Sequence, residues 1–276
     1  MRAFGHRLWA RVFTDDVFTR AAALAYYYFF ALFPALLFLT ALVGLLPVPG
    51  LMDRLLADLA RVLPGESAAL VTRTLAQTLA GASTRLLSLG VIGALWGASA
   101  GMLSVMDALN VAQRITDPRA WWTRRLVAVL LTLGLALFTL IALILVIFGE
   151  RIGEMVAAAV GLGLAFTLAW TALQWPVVIA CLLLGLLLVY HVAPAARRPL
   201  GWLAPGAVCA MVSWLAVSFG FRVYVSHVRS YDATYGSIGG VILLMLWFYL
   251  SSLTLLIGAE INALIEDAAV ERGSLA

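Results

Sequence analysis

Seven polar side chains lie near the ends of strongly apolar runs, where they could bind a charged group at a membrane surface. They are Arg20, Asp107, Asn110, Arg124, Arg125, Glu260 and Asn262. Asp107 and Asn110 are three residues apart, so they share one face of a helix. An ionisable side chain in an apolar segment is costly unless it faces protein or water, so we expect these residues to form one cluster. Arginines held by carboxylates would suit an anionic headgroup or solute.

The same residues have a simpler interpretation. Ordinary ion pairs at the membrane interface would use the same arginines and carboxylates to hold a helix bundle together. The sequence leaves both interpretations open.

The residues needed for hydrolysis are scattered. Cleaving a phosphodiester usually requires clustered metal ligands or a histidine acid/base pair. The three histidines, His6, His191 and His227, are isolated, and no H-x-H, H-E-x-x-H or D-x-D motif occurs. A Walker A motif is excluded because the chain contains no lysine. We therefore predict that the chain is not an enzyme and has no catalytic residues, metal site or cofactor.

The composition identifies the environment of these side chains. Hydrophobic residues make up 64% of the 276 residues, charged residues 12%, and the mean hydropathy is +1.03. A soluble domain is nearer half apolar and a quarter charged, so this is an integral membrane protein. All 18 basic residues are arginine. In a membrane protein they are better explained as determinants of topology than as a nucleic-acid surface.

The apolar runs predict an all-α, polytopic bundle of six transmembrane helices within residues 21–267. The predicted spans are residues 22–46, 86–106, 126–148, 170–190, 203–225 and 238–265. Residues 51–80 alternate apolar and charged faces, which predicts interfacial helices on the periplasmic side between spans one and two. Residues 1–20 predict an amphipathic cytoplasmic segment, and residues 268–276 a cytoplasmic tail.

One stretch is harder to assign. We expect a turn at residues 149–151 to end span three. Residues 156–190 contain no charge, and their 35 positions exceed what one crossing requires. We predict one long element, kinked near Gln174 and Pro176, whose second half is span four. A span preceded by an interfacial helix is the alternative.

The arginines also predict orientation. With six spans, eleven arginines fall on one side, from the N-terminal segment, the Asp107–Arg125 region, the loop at 197–198 and Arg272. Seven fall on the other side. Arginine accumulates in cytoplasmic loops, so both termini are predicted to be cytoplasmic.

Several prolines and glycines interrupt or crowd the predicted spans. They are Pro34, Pro205, Gly206, Gly236, Gly239 and Gly240. Such positions act as hinges in transporters, but they also permit close packing and are common in membrane helices generally. Small residues between Gly90 and Gly101 favour helix association.

Certain motifs resemble those of a known family. They are A-A-A-L-A-Y-Y-Y-F-F-A-L-F-P at 21–34, W-G-A-S-A-G-M at 96–102, A-L-N at 108–110, P-G-A at 205–207, Y-G-S-I-G-G at 235–240, W-F-Y-L-S-S at 247–252 and L-L-I-G-A-E-I-N at 255–262. In this order they resemble the YihY/BrkB family of bacterial inner-membrane proteins over nearly the whole chain. The resemblance implies six spans in the inner membrane and two cytoplasmic termini. The family carries a virulence-factor label and an older ribonuclease BN label regarded as a misassignment, so it implies little mechanism.

Two classes of function follow. The first is transport or accommodation of an anionic amphiphile or solute in envelope maintenance, with membrane lipids as partners. The alternative is a structural membrane protein that binds a second copy or an envelope protein. A ribonuclease is the weakest hypothesis, and we expect no nucleic-acid partner.

Overall fold

The computed structural model describes residues 2–45, 84–161, 164–196, 198–227 and 231–271. These residues form seven α-helices and, within those ranges, no β-strand. The helices are α1 (Arg2–Thr14), α2 (Val17–Leu45), α3 (Thr84–Ala112), α4 (Trp121–Val160), α5 (Leu164–Val192), α6 (Leu200–His227) and α7 (Tyr231–Glu271). The predicted interfacial helices at 51–80 lie outside the described residues. Part of the predicted tail is helical, since α7 continues to Glu271.

The six long helices close into a ring. Each packs against the next along the chain from α2 to α7, and α7 packs against α2 to complete the circuit. α3 also contacts α7 across the ring. The short helix α1 rests on α7 and α2, at the end of the ring where α2 begins and α7 ends.

The outer surface of the ring is apolar. Four segments are long and apolar enough to cross a membrane, namely Trp121–Ala158, Ala169–Val192, Leu200–Val225 and Gly239–Glu271, and a shorter apolar stretch covers Val17–Leu32. On α4, Leu130, Leu137 and Ile147 are each 58% exposed. Large apolar side chains outside a closed helical ring are what a lipid-facing surface requires. The prediction of an all-helical membrane protein is confirmed.

The buried core lies towards the end of the ring that carries α1. Leu24, Met106, Leu109 and Leu256 are almost fully buried there, with many alanines between them. Small residues let the helices approach closely, and van der Waals packing then holds them together. The hydrophobic effect does not hold helices together within a membrane, because lipid tails are as apolar as the side chains.

The prediction for residues 149–190 is wrong in two respects. α4 does not end at residues 149–151 but continues to Val160, and residues 156–190 are not one element. The break falls at Gly161, whose φ of 72° and N–H bond to the Ala157 carbonyl oxygen make it a left-handed helix cap. Apolar composition alone did not reveal this turn, because no charge or proline marks it.

Side chains of α5 pack closely against α4 around Gly149. Trp170 Nε1 donates to the Gly149 carbonyl oxygen at 2.7 Å, and Gln174 Nε2 donates to the Leu145 carbonyl oxygen at 2.6 Å. Gly149 and Gly153 leave room for these side chains against the α4 backbone. α4 and α5 therefore form a hairpin, which we call the α4–α5 hairpin (residues 145–174).

Candidate functional site

Most of the described charged contacts lie at one end of the ring. Here α2, α4 and α6 begin, and α3, α5 and α7 end. We call this region the arginine end and define it by Arg11, Arg114, Arg119, Arg124 and Arg198. It includes the polar residues singled out in the sequence, together with others that the sequence did not single out.

Asp117, in the loop between α3 and α4, is the centre of the largest ion-pair network. Its side chain is 7% exposed and accepts bonds from Arg119 Nε at 2.9 Å and from the Arg119 backbone N–H at 3.0 Å. Arg124 Nε lies 3.3 Å from its other oxygen. These hydrogen bonds from Arg119 hold the pKa of the Asp117 carboxyl below its ordinary value, against the opposing effect of burial.

The same network closes the end of α5. Arg119 donates to the carbonyl oxygen of Ala193 at 2.7 Å, beside the last turn of α5. Cations are favourable near a helix C-terminus, where carbonyl groups lack helical partners. The loop between α3 and α4 is thereby tied to the loop after α5.

Asn110 joins these two loops from within the protein. Its Oδ1 accepts the Ala195 backbone N–H at 2.8 Å, and its Nδ2 donates to Asp117 at 3.3 Å. Asp107, one turn earlier, is exposed and pairs with Arg124. The predicted association of Asp107, Asn110 and Arg124 therefore exists, and Asp117 is its central member.

Glu260 lies elsewhere at the arginine end, against α1. It is 1% exposed, and the guanidinium nearest to it belongs to Arg11, whose NH1 lies 3.9 Å from Oε2. Arg11 also pairs with Asp267, and Arg7 with Glu271 at 3.3 Å. Together these pairs fasten α1 to the last turns of α7.

Asn262 belongs to a third group, where α6 crosses α7. Its Oδ1 accepts the Gly206 backbone N–H at 2.7 Å in a buried position. A methyl group on Gly206 would overlap the Gly258 carbonyl oxygen, so the two backbones are in contact. Tyr190 of α5 donates to the Leu255 carbonyl oxygen at 2.6 Å beside this crossing. Here Gly206 serves close packing.

The remaining members of the predicted cluster stand apart. Arg20 Nε donates to the Asp15 carbonyl oxygen at 3.0 Å, in the turn between α1 and α2. The Arg125 guanidinium stacks 3.7 Å from the centre of the exposed Trp96 ring, in a cation–π contact. The seven residues thus form several groups rather than one cluster.

The other proline and glycine positions show no break in their helices. α2 runs from Val17 to Leu45 past position 34, and α7 runs from Tyr231 to Glu271 through Gly236 and Gly239. Gly240 faces open space. Pro205 is exposed and lies inside α6, and the helix continues through it although proline supplies no backbone donor.

A polar cavity of about 350 Å³ opens at the arginine end. Its polar lining comprises Arg11, Gln113, Arg114, Arg198, Glu266 and Asp267. Arg198 NH1 pairs with Glu266 at 2.7 Å across it. Arg11 NH1, Arg198 Nε and Gln113 Oε1 are buried without a hydrogen-bond partner. Such groups are rare in folded proteins and can indicate a ligand or ordered water.

A second cavity of about 240 Å³ lies inside the ring. All six long helices line it, including Tyr28 of α2, Met102 of α3, Phe138 of α4, Cys181 of α5 and Trp214 of α6. Its lining is apolar apart from a few hydroxyl and sulfur groups. None of the seven residues predicted to form the polar cluster reaches it. Among the described residues, no group of three or more His, Cys, Asp or Glu side chains is placed to hold a metal ion.

Reasoning from the sequence missed Arg11, Asp117, Arg119 and Arg198 as members of the site. The clue for Arg11 was its position on the helical face shared with Leu8 and Val12, which faces the bundle. The clue for Asp117 was its place in a short loop with two flanking arginines. Neither clue identifies the partner side chain.

Comparisons with known proteins identify relatives over nearly the whole chain. The sequence model of the family described as "Virulence factor BrkB" matches residues 8–276. The ribonuclease-like protein YfkH of Bacillus subtilis is 38% identical over 263 residues, which cover 95% of each chain. A UPF0761 membrane protein of Xanthomonas oryzae is 28% identical over 268 residues, covering 94% of this chain and 60% of that protein.

A shorter match involves a UPF0761 membrane protein of Pseudoalteromonas translucida, 33% identical over 89 residues and covering 32% of this chain and 30% of the relative. The chain thus spans about three fifths of the length of the Xanthomonas relative that it matches. No solved structure matches the fold. The ring of apolar helices, the quoted motifs and a family match from residue 8 to residue 276 agree, and the chain belongs to the BrkB family of membrane proteins.

Proposed function

We propose that this protein binds and moves an anionic amphiphile in the bacterial inner membrane, as part of envelope maintenance. It crosses the membrane six times, with the arginine end and both termini in the cytoplasm. One observation carries the proposal. An apolar cavity lined by all six long helices lies inside the ring, and an arginine-lined cavity lies at its end.

The two cavities suit the two parts of an amphiphile. The apolar tail would occupy the central cavity, and the anionic head would meet Arg11, Arg114 and Arg198. Both cavities border α7, at Leu255 and Ala263. Eight helical residues correspond to about 12 Å, which one amphiphile can span.

A layer of helix contacts lies between the two cavities, and a ligand that passes from one cavity to the other must displace it. Tyr190, Gly206, Gly258 and Asn262 meet at this depth and hold α5, α6 and α7 together. Passage of a headgroup between the cavities requires these three helices to separate slightly. The Tyr190 hydroxyl bond to a backbone carbonyl is the contact that can open without unfolding a helix.

The distribution of arginines supports the proposed orientation. The described arginine end carries Arg7, Arg11, Arg114, Arg119, Arg124 and Arg198 among others, and arginine favours the cytoplasmic side. The protein has no catalytic role in this function. Although YfkH is named ribonuclease-like, Asp117, Glu266 and Asp267 at the arginine end are paired with arginines and suit binding better than hydrolysis.

The test is lipid binding by the purified full-length protein, measured by native mass spectrometry. We expect phosphatidylglycerol to bind more tightly than phosphatidylcholine. The double variant Arg114→Gln with Arg198→Gln should weaken phosphatidylglycerol binding about tenfold, because charge-assisted hydrogen bonds to the headgroup are lost.

Arg222→Gln is the matched control, since Arg222 is an exposed arginine near the far end of α6. It should bind as tightly as the wild type. Equal binding of the two lipids by the wild-type protein would overturn the proposal.

A purely structural role is the second candidate, favoured by the Arg198–Glu266 ion pair. The exchange of Arg198→Glu with Glu266→Arg distinguishes the two. If the pair only holds helices together, the exchanged protein should keep its stability and its cellular role. If Arg198 binds a headgroup, the exchanged protein should stay folded but bind phosphatidylglycerol less tightly.

A further inference from the structure

Glu260 is the most deeply buried carboxylate among the described residues. Its side chain is 1% exposed, and Oε2 has no hydrogen-bond partner. The nearest guanidinium nitrogen, Arg11 NH1, lies 3.9 Å away, beyond hydrogen-bonding distance, and it also lacks a hydrogen-bond partner. A buried ionised carboxylate normally has several close donors. Glu260 is therefore incompletely compensated.

Other charged groups face Glu260 from several elements. Arg11 and Asp15 come from α1 and the turn after it, and Arg114 from the turn after α3. From α2, Arg20 reaches Asp15 and donates to its carbonyl oxygen. On α7 itself Asp267 holds Arg11, and α6 meets α7 at Gly206, which has no side-chain charge.

The charged groups around Glu260 disfavour the binding of a metal cation or of a further anion beside it. Arg11 and Arg114 repel a cation, whereas Asp15 and Asp267 repel an anion, and Asp267 already pairs with Arg11. The Asp15 Oδ2 atom is also buried without a donor. A proton is the ligand that fits, because it removes one uncompensated negative charge, and a neutral acid costs less to bury than an ionised one.

We propose that Glu260 is a buried proton-binding site and that its protonation releases Arg11 NH1 towards the polar cavity. Ionised Glu260 attracts Arg11 away from the cavity. Protonated Glu260 leaves that guanidinium to a ligand's anionic oxygens. Proton uptake and anion binding at the arginine end are thereby linked, and each favours the other. This second step rests on the proposed function, whereas the proton site does not.

The proton site is tested by infrared difference spectroscopy of the full-length protein in lipid, titrated from pH ~9 to pH ~5. We expect the C=O stretch of a protonated carboxylic acid to grow as the pH falls in the wild type. The band should be missing in Glu260→Gln. It should persist in Glu266→Gln, the matched control, because Glu266 lies on the same helix but is held by Arg198.

Asp15 is the competing proton acceptor, so Asp15→Asn is the second variant. Persistence of the band in Asp15→Asn supports Glu260. Loss of the band in Asp15→Asn together with its persistence in Glu260→Gln would overturn the assignment. Loss in the Glu266→Gln control would overturn it too.

The linkage is tested by phosphatidylglycerol binding over the same pH range. The wild type should bind about tenfold more tightly at the acidic end, because one guanidinium is freed. Glu260→Gln should bind tightly at every pH, since glutamine imitates the protonated acid. Free inorganic phosphate in parallel samples shows whether the ligand is the phosphate group alone or the whole lipid.

The possible failures are separable. If no anionic ligand binds at any pH but the infrared band titrates and depends on Glu260, the proposed function fails and the proton site stands. If ligands bind equally at every pH in the wild type and in Glu260→Gln, the linkage fails. If no band depends on Glu260, the proton site itself is wrong.

Discussion

Neighbouring helices are joined in different ways at the arginine end and in the α4–α5 hairpin. At the arginine end, loops and helix ends are held by guanidinium–carboxylate pairs around Asp117 and Arg11. In the hairpin, Trp170 and Gln174 donate to backbone carbonyl oxygens of α4 across two glycines. The first arrangement contains many charges and buried atoms without partners. The second uses two neutral donors, and both are hydrogen-bonded.

The two regions differ in how they respond to pH and to anions. A satisfied neutral contact stabilises one arrangement and responds little to pH or to anions. A charged cluster with unpaired buried atoms costs stability and can be completed by a ligand or a proton. Of these two regions, only the arginine end contains such a cluster, and the polar cavity lies there.

Substitution of alanine for the close-packed glycines should produce the largest difference in stability between the two regions. A methyl group on Gly206 overlaps backbone of α7, which cannot rotate away, whereas one on Gly153 meets the Trp170 ring, which can. We expect Gly206→Ala to destabilise by roughly 3 kcal/mol and Gly153→Ala by about half as much. Thermal unfolding in detergent measures both.

Gly220→Ala is the control for these two variants, because nothing lies near its added methyl group. It should be neutral or slightly stabilising, since alanine favours helix. Equal destabilisation by Gly206→Ala and Gly220→Ala would show that the α6–α7 contact is not tightly packed.

Removal of a buried amide should have the next largest effect. Asn110→Ala leaves the Ala195 N–H without its acceptor, and we expect a cost of about 2 kcal/mol. Gln174→Leu should cost only about 1 kcal/mol, since leucine fills much of the space and the Leu145 carbonyl oxygen lies within a continuous helix. Denaturant unfolding measures the stability of both variants. A greater loss of stability in Gln174→Leu than in Asn110→Ala would contradict the prediction.

Loss of one indole hydrogen bond should have a smaller effect. Trp170→Phe keeps an aromatic ring against Gly153 but removes the bond to the Gly149 carbonyl oxygen. We expect about 1 kcal/mol of destabilisation and no change in lipid binding. A change in phosphatidylglycerol affinity would show that the hairpin is coupled to the arginine end.

The pH dependence of Asp117 should be the smallest effect. Its pKa is lowered in the folded state, chiefly by hydrogen bonds from Arg119. Its contribution to stability is therefore present above the unfolded pKa and is lost as the pH falls through the folded pKa. Asp117→Asn should flatten this acidic part of the stability curve, as measured by thermal unfolding at a series of pH values.

Some parts of the structure could be predicted from the sequence because they depend on local pattern. The four long apolar helices and the shorter apolar stretch of α2 follow from hydropathy, and α1 follows from its alternating aromatic and basic residues. The turn at Gly161 could not be predicted, because its neighbours are as apolar as the helices. The association of Asp107 with Arg124 was predicted from topology, since both lie at the same end of neighbouring helices.

Local pattern in the chain identifies a helical membrane protein, because segment length and apolar content decide whether a helix can lie in lipid, and the motifs identify the BrkB family. That Glu260 meets Arg11 rather than Arg20 or Arg124 depends on how the helices pack. The same is true of the polar cavity, which lies beside Arg114 and Arg198. The physical reason is that ion pairs require side-chain atoms within a few ångströms, and ring closure sets which residues meet. Arg11 and Glu260 are far apart in the chain, and the docking of α1 on α7 brings them together.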